Sequence, residues 1–92
     1  MPLSNKQIKA LKAKAHHLKP VVRIGQKGIT ENVMMEINNA LDIHELIKIH
    51  IADDDRESRN QSVSSISVQC KAELVSQIGK TFILYRQKPA DA

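Results

Sequence analysis

A chain of 92 residues with 41% apolar content can bury one small core, expected to form a single domain over 1–92 with its body at about 3–88 and a frayed tail at 87–92. Only Phe82 and Tyr85 are aromatic, which argues against holding single strands by base stacking. The net charge of +4 hides a block: the first 28 residues carry seven basic side chains and no acid, whereas residues 29–57 carry eight acids and two bases. Such a block attracts polyanions and holds them by releasing counterions. The lone Cys70 excludes an internal disulfide and fits a reduced, cytosolic setting. No signal-peptide core and no 18-residue apolar run is present, so no membrane partner is expected.

Ser4 with Gln7 reads as a capping box, and Leu3 with Ile8 as a hydrophobic staple. Ile8, Leu11, Ala15 and Leu18 then share one helical face, with Lys6, Lys9, Lys12 and His16 away from it, and Pro20 is expected to end the helix. Val21 to Ile24 reads as a short buried strand stopped by Gly25. Thr30 caps a second helix carrying Val33, Ile37, Ala40 and Leu41, and Asp42 to Glu45 are expected to turn. Ile47, Ile49 and Ile51 alternate with Lys48 and His50, the period of a half-buried strand. A strand, helix and strand in this order predict a parallel pair with a right-handed crossover.

Asp53-Asp54-Asp55 reads as an acidic turn and helix start, since negative charge complements a helix N-terminus. The segment Arg56 to Lys71 is ambiguous: five serines weaken a helix, and Ile66, Val68 and Cys70 alternate as in a strand. Val63, Ile66 and Cys70 also sit at helical spacing, and a third helix would complete a second crossover, so helix is preferred. Glu73 to Ile78 and Thr81 to Arg86 flank Gly79-Lys80 as a hairpin. The whole predicts an α/β fold: an N-terminal helix followed by βαβαββ, making a four-stranded mixed sheet with packed helices.

The Gly25-Gln26-Lys27-Gly28 loop leaves a strand, enters a helix and lies in an acid-free region. Unpaired amides at a helix start make an anion site, and glycines let a phosphate approach the backbone. The plain alternative is a structural turn. Gly79-Lys80-Thr81 is not a nucleotide-binding P-loop, because position 74 is leucine and a strand follows. His16 and His17 are adjacent, so on a helix their rings diverge by about 100° and suit a basic surface better than a metal. The aspartate run lacks the glycine and closing glutamate of a calcium loop. Cys70 reads as a small core residue. No nucleophile is paired with a base, so neither catalysis nor a metal or other cofactor is expected.

Four ordered blocks, Leu11-Lys12-Ala13, Val21 to Thr30, Glu45 to Ile49 and Gln77 to Arg86, together resemble the YhbY family, the stand-alone prokaryotic form of the RNA-binding CRM domain. The resemblance runs from about residue 3 to 88. It implies a fold similar to the C-terminal domain of the third bacterial translation initiation factor. It also implies RNA binding through the glycine loop and adjoining basic surface, and association with precursors of the large ribosomal subunit. Members of the family are small, cytoplasmic and not enzymes. The serine-rich Ser58 to Ser67 departs from the more apolar stretch usual there.

The expected function is therefore non-catalytic binding of structured ribosomal RNA during ribosome assembly, by a monomer. Gly25, Gln26, Lys27 and Gly28 would meet the backbone, with Lys6, Lys9 and Lys12 extending the contact and Arg23 joining if its strand position faces that way. The loop is similar to that of KH domains, where it joins two helices instead. The acidic middle segment is expected to lie away from this surface. The rival reading is a basic module that docks an acidic protein partner.

Overall fold

Ser4 caps the first helix as its spacing to Gln7 predicts: its hydroxyl accepts the Gln7 amide at 3.1 Å, and the Gln7 side chain accepts the Ser4 amide at 2.9 Å. The computed structural model describes residues 3–25 and 27–87. This helix, α1, spans Asn5–Ala15 and ends before Pro20 is reached. Ala15 is fully buried against the sheet, and there the chain turns away, the Leu18 amide bonding the Ala15 carbonyl three residues back. Leu18, expected on the buried face, is 37% exposed as a result.

The first strand, β1, is Val22–Ile24, with Val22 and Ile24 buried and Arg23 exposed between them. Val21 lies outside it and is exposed, although its amide bonds the Lys48 carbonyl. Helix α2 spans Glu31–His44, with the Thr30 hydroxyl accepting the Val33 amide at 3.2 Å. It runs through the turn expected at Asp42, because nothing in Asp42-Ile43-His44 breaks a helix. Glu45 ends it at φ 62°, a conformation costly for a side chain, while its amide still reaches the Leu41 carbonyl.

Strand β2, Leu46–Ile51, buries Ile47, Ile49 and Ile51 as its alternation predicts and runs parallel to β1. Helix α3 spans Arg56–Cys70. Val63, Ile66 and Cys70 are buried while Val68 is 75% exposed, so the helical spacing governs this segment and the strand-like alternation does not. Ser67 turns its hydroxyl back onto the Val63 carbonyl at 2.9 Å, which satisfies the serine inside the helix. Lys71, in the left-handed region at φ 54°, closes it as glycine commonly does.

Strands β3, Glu73–Ile78, and β4, Thr81–Tyr85, form the expected hairpin, with Gly79 at φ +58° in the turn. The strand order is β1-β2-β4-β3, with β4 antiparallel to both neighbours. The sheet separates two apolar layers. Val22, Ile24, Ile47, Ile49, Ile51, Phe82 and Leu84 meet α2 and α3 through Ile37, Leu41, Val63, Ile66 and Cys70. On the other face, Val75 and Ile83 meet α1 through Ala15, Ile8 and Leu11. One helix cannot cover a four-stranded sheet, and the uncovered part of this face carries the polar members of β1 and β2.

Candidate nucleic-acid interface

Gly25 follows β1 directly, and the Gly28 amide closes the loop on the Gly25 carbonyl at 3.0 Å. Gly28 holds φ +77°, which a side chain rarely adopts. Gly25 needs no positive φ, and a Cβ built on either glycine meets nothing within 4 Å. Gly28 is thus explained by the turn, whereas packing within the protein gives no reason for Gly25. The loop offers fewer free amides than its sequence suggests, since Gly28 donates internally and Thr30 satisfies Val33. Glu31 and Asn32 supply the first-turn amides that helix geometry leaves without intrahelical partners. Lys27 is exposed; Gln26 lies outside the described residues.

Because β1 and β2 are parallel, their C-terminal ends emerge at the same edge of the sheet. The Ala52 amide bonds the Ile24 carbonyl at 2.9 Å, and this brings the aspartate run beside the glycine loop. Gly25, Gly28, Asp53, Asp54 and Asp55 line one cavity of about 420 Å³. The expectation that these acids lie away from the loop is overturned by this parallel pairing. Their charge is partly met locally: Asp54 pairs with Lys80 of the hairpin turn, and the Arg59 guanidinium, bonded to the Asp53 main-chain carbonyl at 2.8 Å, places a positive charge near the Asp53 carboxylate. The Ser58 hydroxyl and the Asp55 amide hold the Asp53 carboxyl below its ordinary pKa, and Lys80 does the same for Asp54.

Arg23 lies between two buried residues, so it projects from the opposite face, the one that α1 partly covers. It stands in register with His50, and His50 with Thr81. Lys48, two residues before His50, shares that face. Lys48, Thr81, Ser76 and Ile83 line a cleft of about 490 Å³ closed on its other side by Lys12 and His16 of the first helix and its C-cap. Lys6, Lys9 and Lys12 are exposed at three-residue intervals, a slanting row along α1 of which Lys12 reaches the cleft.

The structure therefore links Arg23, His50, Lys48 and Lys12 into a band leading from the glycine loop to α1, and leaves Lys6 and Lys9 at its outer margin. Lys48 and His50 were not among the site residues expected from sequence, whereas His16 was read as part of a basic surface. The signal for the first two was present in the Ile-Lys-Ile-His-Ile alternation, which puts a lysine and a histidine together on the non-core face. Among the described residues, no group of three or more His, Cys, Asp and Glu side chains is placed to hold a metal ion. None of the described helices is long and apolar enough to cross a membrane. Cys70 is buried, which pushes its thiol pKa up.

Residues 3–86 match the family described as the CRS1 / YhbY (CRM) domain. An RNA-binding protein of Haemophilus influenzae is 49% identical over 84 residues, covering 91% of this chain and 85% of the relative. A probable RNA-binding protein of Pseudomonas aeruginosa is 39% identical over 89 residues, covering 97% and 86%. The solution structure of a hypothetical protein of Staphylococcus aureus superposes with a TM-score of 0.83 at 31% identity, covering 98% of this chain and 94% of that one.

Proposed function

We propose that this chain, which belongs to the CRS1 / YhbY (CRM) domain family, binds structured RNA through the glycine loop and the basic band beside it. The observation that carries the reading is the run from Gly25 through Arg23, His50 and Lys48 to Lys12, along which the sheet presents cations and hydroxyls and the cleft is lined by no acid. Phosphates bind such a band by counterion release. Gly25, Gln26, Lys27 and Gly28 meet the RNA backbone, and Lys6 and Lys9 add long-range attraction.

The RNA is ribosomal, in precursors of the large subunit, and the protein acts on it as a cytoplasmic monomer during assembly, binding rather than catalysing. Support for this finer assignment comes from the four-block resemblance to the family, while the relatives named for RNA binding support an RNA partner alone. The scarcity of aromatics favours recognition of RNA shape and backbone over stacked single strands.

Sedimentation of cell extract tests the reading. The protein is expected to travel with large-subunit precursors and to be released by nuclease. Association that survives complete RNA digestion would instead identify an acidic protein partner.

A further inference from the structure

Beyond backbone contact, the geometry points to the cleft under α1 as a pocket for one unpaired nucleotide of the bound RNA, its base on an apolar floor and its phosphate on the lysine rim. The inference rests on the RNA-binding reading and assigns the cleft a separate task within it. At about 490 Å³ the cleft falls in the range that encloses small ligands, roughly 300–1,000 Å³. Its chemistry is divided. Ile83 is buried at the base, and Pro20 and Ile78 add apolar walls. Lys12, Lys48 and His16 supply cations or donors at the rim.

Two features set this cleft apart from a general electrostatic patch. Ile78 is 77% exposed on the strand that ends in the hairpin turn, and it lines the cleft, so an apolar side chain stands open to a ligand there. Thr81, in register with Ile78, and Ser76 place hydroxyls beside it, and hydroxyls can both donate to and accept from a base edge. A paired base, stacked in a duplex, cannot enter such a recess; an unstacked one can, and unpaired bases in loops and bulges are where proteins read RNA. The other cavity beside the loop is lined by three aspartates, so a phosphate-bearing ligand favours the α1 side.

The test uses the full chain and two hairpin RNAs of equal length, both closed by a polyethylene glycol linker in place of a nucleotide loop, one fully paired and one with a single bulged nucleotide replaced by 2-aminopurine. The bulged hairpin is expected to bind at least about fivefold more tightly, with a change in 2-aminopurine fluorescence. Ile78→Ser, at an exposed position, should abolish that preference while leaving the paired hairpin bound as before. Nucleoside 5′-monophosphates should shift the backbone NMR signals of Lys48, Ser76, Ile78 and Thr81 more than inorganic phosphate does. Equal binding of both hairpins, or an Ile78→Ser protein that keeps the preference, overturns the pocket and leaves RNA binding intact. Equal shifts with inorganic phosphate reduce it to an anion site and overturn it as well. Tight binding of free monophosphates with no preference between the hairpins would assign the cleft to a soluble nucleotide, against the proposal. Failure to bind either hairpin would remove the RNA reading and the pocket together.

Discussion

Arg86 grips Asn38 twice: one guanidinium nitrogen donates to the Asn38 side-chain oxygen at 2.8 Å and the other to its carbonyl at 3.0 Å. The same group reaches the Cys70 carbonyl at 2.9 Å and the Asp42 carboxylate at 2.8 Å. A residue just past β4 thereby ties together the C-terminal parts of α2 and α3, where helix dipoles favour a cation. Arg86→Met should lower unfolding free energy by about 2–3 kcal/mol, since hydrogen bonds from a charged, half-buried donor are lost and carbonyls are stranded. Asp42→Asn should cost less than about 1 kcal/mol, because that carboxylate is 71% exposed and its ion pair is screened. Urea unfolding of both variants checks the ranking; equal losses would mean the ion pair, and not the backbone clamp, holds the helices.

The two loop glycines should separate fold from binding. Gly25→Ala meets open space and needs no left-handed backbone, so its stability should stay within about 1 kcal/mol of the parent, on either side. RNA affinity should nevertheless fall at least about fivefold if a phosphate approaches that backbone. Gly28→Ala must hold φ +77° and should lose about 1–2 kcal/mol. Thermal melts and binding isotherms on both proteins decide the matter. A Gly25→Ala protein that binds as tightly as the parent would make the loop a structural turn.

The aspartate run yields a pH prediction with a definite sign. Asp53 and Asp54 have carboxyls held below the ordinary value of 3.8, the first by the Ser58 hydroxyl and the Asp55 amide, the second by Lys80. A depressed folded-state pKa contributes stability that is present above the unfolded value and lost as pH falls through the folded one. The difference in melting temperature between the parent and Asp54→Asn should therefore be largest above about pH 4 and shrink toward pH 2. A gap that stays constant across that range would show that the Lys80 pair does not contribute. Because Asp54 shares a cavity with Gly25 and Gly28, the same substitution should leave RNA affinity unchanged or raise it by roughly two- to fivefold, by removing repulsion.

Much of this architecture could be read from local pattern because local physics decides it. The Ser4–Gln7 box, the Thr30 cap, the Ile47, Ile49 and Ile51 alternation and the Gly79 turn each satisfy a short-range requirement. Helix α3 was legible only through the spacing of Val63, Ile66 and Cys70, which outweighed its serines once those positions were packed on the sheet. The end of α1 was not legible, since it is set by where Ala15 meets the sheet and not by Pro20. The proximity of Asp53 to Gly25 was legible but missed: the strand–helix–strand order predicts the parallel β1–β2 pair, which puts both C-terminal ends side by side, whereas the expectation weighed only the repulsion between carboxylates and phosphates. The candidate cleft was not legible, because Lys12, Lys48 and Thr81 converge only when β4 inserts next to β2.

The last prediction concerns how charge is distributed over the RNA surface. If four to six phosphates are engaged, the log–log dependence of affinity on salt should have a slope of about −3 to −5, at roughly 0.7–0.9 per phosphate. Lys48 sits half-buried at the centre of the band, held by the β2 backbone, so its contact is geometrically fixed. Lys6 is exposed in the first turn of α1, about 9 Å along the helix axis from Lys12, and acts as one charge in a diffuse field. Lys48→Met should therefore reduce the slope by about 0.7–0.9 and weaken binding about tenfold, whereas Lys6→Met should change affinity by less than about threefold. Replacing Gln26 and Lys27 together by aspartate, which keeps both glycines and puts repulsion at the loop, should also cost at least about tenfold. Titrations at several salt concentrations give every slope. A near-zero slope for the parent would sink the electrostatic model, and a Lys6→Met effect larger than that of Lys48→Met would move the binding surface from the sheet to the outer face of α1.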